Sequence, residues 1–192
     1  MKFNKKFYSV LLAGCMTLGI AAMASAHQTL TMDAIDAADN GNLNLRWEPH
    51  YGRYIIGGGI INEEISQPNN RQTEVSGFEL LFGGRKYLSQ LTKKGDKFSG
   101  VFFEGDLTVE MVDMQRKRRI NNTWVKEGAS QEETYTSIDL LVGYKFIAGA
   151  KKKSGFTAEV AAGPRFNFGD EYYGYKEDST EAIMRINLGY TW

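Results

Sequence analysis

The sequence predicts an all-β fold, an antiparallel up-and-down transmembrane β-barrel of eight strands. Three observations carry that expectation. Apolar and polar residues alternate over segments of about ten residues or more, long and short connections alternate between those segments, and a basic, apolar leader precedes them. The 192 residues suit one domain, and 42% apolar with 12% aromatic residues argues against disorder. Lys and Arg number 23 against 23 Asp and Glu, so nucleic acid is not an expected partner; a phosphate-binding chain shows its surplus of cations in the total. A single cysteine excludes a disulfide framework and a Cys-based zinc site.

In the leader, Lys2, Lys5 and Lys6 precede the apolar stretch Phe7 to Met23, and Ala24-Ser25-Ala26 supplies the small residues of a cleavage site. The expected organisation is therefore a signal peptide over residues 1–26 and a barrel domain over 27–192. Cleavage removes three lysines and Cys15, leaving an acidic chain without cysteine. A second reading is open at Leu12-Ala13-Gly14-Cys15, which looks like a lipobox at which Cys15 is acylated instead. The apolar run from Met16 to Ala26 favours cleavage over a polar lipoprotein tether. No later run is apolar enough to cross a bilayer as a helix.

The strands follow in chain order. An even count requires a first strand near Gln28 to Ile35, joined by a short loop, Asp36 to Gly41, to a second at 42–48. The third, 53–62, contains the glycine-rich Gly57-Gly58-Gly59. In the fourth, 75–87, Phe78, Leu80 and Phe82 oppose Glu79, Leu81 and Arg85; in the fifth, 98–112, Val101, Phe103, Leu107 and Val109 oppose Glu104, Asp106 and Glu110. The sixth, 134–147, sets Ile138, Leu140, Val142, Tyr144 and Phe146 against Asp139 and Lys145. In the seventh, 155–168, Phe156 and Val160 oppose Glu159 and Arg165. The last, 181–192, places Met184, Ile186, Leu188, Tyr190 and Trp192 against Arg185 and Asn187. An alternative puts an extra strand at Asn122 to Lys126 and inverts the upstream loops.

A lipocalin or soluble sandwich uses the same alternation with the apolar face inside. Strand length and the mixture of both charge signs with Gly143, Gly163 and Gly189 favour a membrane barrel whose narrow lumen is filled by ion pairs. The expected lumen network is Glu79, Arg85, Glu104, Asp106, Glu110, Asp139, Lys145, Glu159, Arg165 and Arg185. Long polar connections at Asn62 to Ser76, Asp113 to Glu133 and Gly169 to Thr180 are expected outside the cell, with short ones at Pro49 to Arg53, Ser89 to Lys97 and Ala148 to Ser154 in the periplasm. Trp47, Tyr54, Tyr87, Phe146, Phe156, Tyr190 and Trp192 then form a periplasmic aromatic girdle.

The pattern Leu188, Tyr190, Trp192 resembles the assembly signal that ends bacterial outer-membrane barrels. Ser99-Gly100-Val101-Phe102-Phe103, Leu141 to Phe146 and Ala161 to Phe166 resemble a family of small outer-membrane barrels of unassigned function, over residues 75–192. This OmpA/OmpX-type resemblance implies eight strands, a filled interior and a Gram-negative outer-membrane address after signal removal. It also implies contact with the barrel-assembly machinery, and carries over no catalytic residue.

The functional expectation is a non-enzymatic, monomeric envelope protein without cofactor or metal, acting in envelope structure or surface interaction. Arg116, Lys117, Arg118 and Arg119 are candidate contacts for anionic lipopolysaccharide, since guanidinium groups bind phosphate bidentately. Tyr172, Tyr173 and Tyr175 are candidate contacts for an external macromolecule. The alternatives are a lipid-modifying barrel enzyme and a periplasmic lipocalin-like carrier. The enzyme needs a nucleophile with a base at the outer rim, and neither His27 nor His50 is placed there. Glu104, Asp106 and Glu110 share one side of a strand as a glycosidase pair would, but lumen-facing acids balanced by cations explain them better.

Overall fold

The computed structural model describes residues 28–39, 41–49, 54–88, 99–148, 154–170, 174–175 and 179–192. The predicted leader with Cys15, both histidines, and Tyr172 and Tyr173 lie outside the described residues. The elements are β1 (Thr29–Asp33), α1 (Ala34–Asp39), β2 (Leu43–Glu48), β3 (Ile55–Gln67), β4 (Arg71–Tyr87), β5 (Gly100–Ile120), β6 (Thr123–Lys126), β7 (Gln131–Ala148), β8 (Gly155–Phe168) and β9 (Ser179–Thr191). No helix among the described residues is long and apolar enough to cross a membrane.

Eight strands close into an antiparallel barrel. Neighbours pair in chain order, β4 with β5 and β5 with β7, and the ring shuts where Thr29–Asp33 meets Asn187–Thr191. Gln28 and Trp192 extend that seam with two backbone hydrogen bonds of 2.9 Å. The strand expected near Gln28 to Ile35 is thus the one that closes the ring. Of the alternative segment Asn122 to Lys126, Thr123–Lys126 is also extended, but it pairs only with β5 and is not a stave.

Two expected loops prove to be strand. Asn62 to Ser76 continues β3 and β4 to a turn at 68–70, and Asp113 to Glu133 continues β5 to Ile120 and returns through β6 and β7. Asparagine makes both tips, with Asn69, Asn70, Asn121 and Asn122 all at positive φ. Asn121 and Asn122 form the two-residue link between Ile120 and Thr123, the backbone that a right-twisted hairpin needs. The tips are tied together where Arg119 N donates to Asn70 O at 2.8 Å. At the same end, the expected loop Asp36 to Gly41 is largely α1. Asp33 Oδ1 caps it by accepting from the amides of Ile35 and Asp36, at 2.9 and 3.3 Å.

Side-chain polarity is inverted relative to a water-soluble barrel. Met184, Leu140, Phe82 and Phe146 point outward, each more than half exposed, as do Phe156, Val160, Ile186 and Leu188. Inward on the same strands stand Arg185, Asp139, Arg85, Lys145 and Glu159, all buried. Tyr54, Phe146, Phe156 and Tyr190 project outward at the end that carries Gln28 and Trp192. Trp47 is half-buried beside them, its Nε1 donating to Gln28 Oε1 at 3.0 Å. Tyr87 does not join this ring; its strand position faces the interior, where it is fully buried.

Candidate functional site: the filled lumen and the raised hairpins

The narrow interior is stacked in layers. Lowest, near the two described ends of the chain, Arg85 acts as a hub. Its Nε donates to Glu104 at 2.7 Å, and Nη1 and Nη2 grip Glu159 bidentately at 2.8 and 2.9 Å. Nη1 also reaches Glu48 at 3.2 Å. The guanidinium lies 3.9 Å from the Phe102 ring centroid. Lys145 Nζ, fully buried, donates to Glu48 and to Thr29 Oγ1, both at 2.7 Å, while Tyr87 OH donates to Glu48 at 3.0 Å.

One layer up, Arg46 bonds Glu104 and, at 3.0 Å, Asp106. Arg185 bonds Asp106 and Asp139, and Arg165 holds Asp139 with two hydrogen bonds of 2.7 and 3.0 Å. Five cations, Arg46, Arg85, Lys145, Arg165 and Arg185, thereby face five carboxylates, Glu48, Glu104, Asp106, Asp139 and Glu159. Buried ions are tolerable only in such a paired and hydrogen-bonded arrangement.

Small residues make the room. On β3, Gly57 and Gly59 face inward beside the side chains of Arg46 and Asn44, and a Cβ at Gly59 would sit 1.9 Å from Asn44 Oδ1. The glycine run thus yields its share of the lumen to β2. Beside Arg46 and Arg85 a cavity of about 10 Å³ remains, lined also by Glu48, Glu159, Thr29, Thr31 and Ile55. That is space for a single water.

Above the ionic layers the interior turns apolar. Ile61, Val75, Val112, Met114, Tyr135 and Tyr175 pack together across the mouth. Tyr175, expected as a surface contact, is buried there. Its ring meets Tyr135 edge-on at 5.3 Å and its hydroxyl donates to Glu110 at 2.7 Å. Burial, reinforced by the Glu110 carboxylate, holds this phenol well above its ordinary pKa, so it remains a donor. The correction extends to Glu110 and Glu79. They stand directly opposite one another in register, above the ten-charge network, and Glu79 has no ion pair among the described residues.

Of the predicted network, Arg85, Glu104, Asp106, Asp139, Lys145, Glu159, Arg165 and Arg185 converge as one connected set. Arg46 and Glu48 complete it and were missed. Their signal was the alternation Asn44, Arg46, Glu48 against Leu43, Leu45, Trp47, in a strand too short to weigh heavily.

The basic run is on strand, which divides it. In β5 the side chains of Arg116 and Arg118 take the interior-facing parity, while Lys117 and Arg119 take the outward one. Glu127 serves the inner side, 3.4 Å from Arg71 and 3.5 Å from Arg116, and Glu74 serves the outer side, 2.7 Å from Lys117. Leu188 and Tyr190, from the expected assembly pattern, face outward, with Tyr190 stacked on Trp192 at 6.5 Å.

Among the described residues no group of three or more acidic, Cys or His side chains is arranged to hold a metal. Glu104 and Asp106 are each engaged by arginines, so the candidate carboxylate pair is built into the ionic core. The chain matches no family model, no curated protein and no solved structure.

Proposed function

We propose that the chain is a non-enzymatic outer-membrane β-barrel protein, monomeric and of the small OmpA/OmpX kind, whose raised hairpins contribute to envelope structure or surface interaction in a Gram-negative bacterium. One observation carries the reading: a closed barrel that exposes a continuous apolar exterior and buries its charges. Such a girdle is far more apolar surface than a monomer keeps in water. On β5 the outward residues are apolar or glycine from Val101 to Met111 and polar from Asp113 onward. Ten steps of strand span about 34 Å, or about 26 Å along an axis tilted by about 40°, which matches the band of an outer-membrane barrel. The hairpins beyond it then stand outside the cell, with Gln28 and Trp192 on the periplasmic side.

Membrane fractionation of the expressing bacterium tests this. The chain is expected in the outer-membrane fraction, running faster on a denaturing gel before boiling than after. Release by osmotic shock with no such shift overturns it and favours a lipocalin-like carrier.

Two results follow from the same reading. Leu188→Arg, at a mid-belt position on β9, is expected to cost about 2–4 kcal/mol in unfolding from lipid vesicles, since a cation facing mid-bilayer is strongly disfavoured. Leu188→Val, measured alongside, is expected to stay near wild type. The second concerns conduction. With both ionic layers and the apolar mouth in place, purified protein in planar bilayers is expected to give no stable open channel; regular porin-sized steps would contradict the closed lumen.

A further inference from the structure

We propose that the outward face of the β5–β6 hairpin, formed by Lys117, Arg119, Lys126 and Trp124, is a docking surface for the acidic sugar headgroups of the outer leaflet's glycolipid. The inference deepens the outer-membrane reading and rests on it. The register sets Lys117 directly opposite Lys126, and Arg119 directly opposite Trp124, on the side of the sheet that continues the apolar belt. Like charges face to face across a strand pair are unfavourable unless an anion lies between them. Glu74 partners Lys117 at 2.7 Å, whereas Arg119 and Lys126 are exposed and have no ion pair among the described residues. Trp124 is 43% exposed. An indole beside cations offers a flat face to a sugar ring and a donor to its oxygens.

Height and direction select the occupant. Lys117 lies six residues past Met111, the last apolar outward position of β5, which is about 20 Å along the strand and about 15 Å along the barrel axis. A side chain at that level, pointing away from the barrel, meets the headgroup region of neighbouring lipids. Asp113 and Glu132, opposite each other on the same outward side, form an acidic tier below the basic one. The cations therefore address anions set above the bilayer surface, as on a large phosphorylated or carboxylated glycolipid, not the phosphates of short phospholipids.

The test uses the folded full barrel in phosphatidylcholine nanodiscs, titrated with deep-rough lipopolysaccharide and read by native mass spectrometry. The triple variant Lys117→Gln, Arg119→Gln, Lys126→Gln is expected to weaken binding at least tenfold and to flatten its salt dependence. The inner-face pair Arg116→Gln, Arg118→Gln is expected to stay within about twofold of wild type. Both variants are checked for the heat-dependent gel shift, so that misfolding is not read as lost binding. Equal losses in the two variants, or undiminished binding in the triple variant, overturn the docking face. So does equally tight binding of phosphatidylglycerol. A heat-modifiable barrel in the outer membrane with no preference for the glycolipid overturns this inference alone; a soluble chain overturns the proposed function as well.

Discussion

Replacing Arg85 by methionine is expected to destabilise the barrel by about 3–5 kcal/mol, the cost of leaving buried charge uncompensated. Arg85 engages Glu48, Glu104 and Glu159, and all three stay buried when it is removed. Lys145 still reaches Glu48 and Glu159, and Arg46 still reaches Glu104, so the carboxylates do not lose every partner. That places the expected cost within the range for a broken buried pair and not at its sum over three. Neutralising one orphan at the same time, as Arg85→Met with Glu159→Gln, is expected to recover part of the loss, because the two sites share a bidentate contact and are not additive. Urea unfolding in lipid vesicles measures both. For contrast, Arg71→Met breaks only the half-exposed 3.4 Å pair with Glu127 and is expected to cost under about 1 kcal/mol. Equal effects at positions 85 and 71 would contradict the ionic core as the element that fixes the interior.

Gly189→Val is expected to abolish the folded form altogether. Gly189 faces Thr31 across the seam that closes the barrel, and a Cβ there would lie 1.9 Å from Leu30 O and 2.7 Å from Thr31 Cα. Both atoms are backbone, so no side-chain movement relieves the overlap, and β1 has to shift. The seam has little to spare: β1 pairs with β9 over only five residues. Opening it exposes two strand edges, and each unpaired backbone group in lipid costs several kcal/mol. The fast-migrating unboiled band is therefore expected to vanish in Gly189→Val and to persist in Ile186→Val, which keeps an outward apolar residue on the same strand. A normal band in Gly189→Val would show that the strands do not approach as closely as described.

The faces of the strands were legible because apolar and charged residues fall on opposite sides with a period of two, which separates Arg185 from Met184; a lipocalin shares that alternation, so strand length and the mixture of both charge signs with glycine marked the charged side as the interior. The same physics hid the hairpins. From Arg116 to Arg119 both faces of β5 carry cations that are partly or fully exposed, so this stretch has no alternation and looks like loop. The remaining signal was local, in the paired asparagines at 69–70 and 121–122 that accept positive φ. Tyr175 was illegible for a different reason. Its burial depends on the mouth formed by Val112, Met114 and Tyr135, which no local pattern around residue 175 reveals. Tyr87 stands at girdle height, but it shares the parity of Arg85 on β4 and therefore turns inward.

The orientation of the two faces of the barrel wall is read out by a spin-label scan of β9. In a Cys15→Ser background, which leaves the chain without cysteine, single cysteines at 184, 186 and 188 and at 183 and 187 take one nitroxide each. In vesicles, the labels at 184, 186 and 188 are expected to collide freely with oxygen and little with a water-soluble nickel chelate. Those at 183 and 187 are expected to collide poorly with both. A uniform response along the strand, or nickel accessibility at 184, 186 and 188, would contradict a barrel that holds its charges inside and turns its apolar face to lipid.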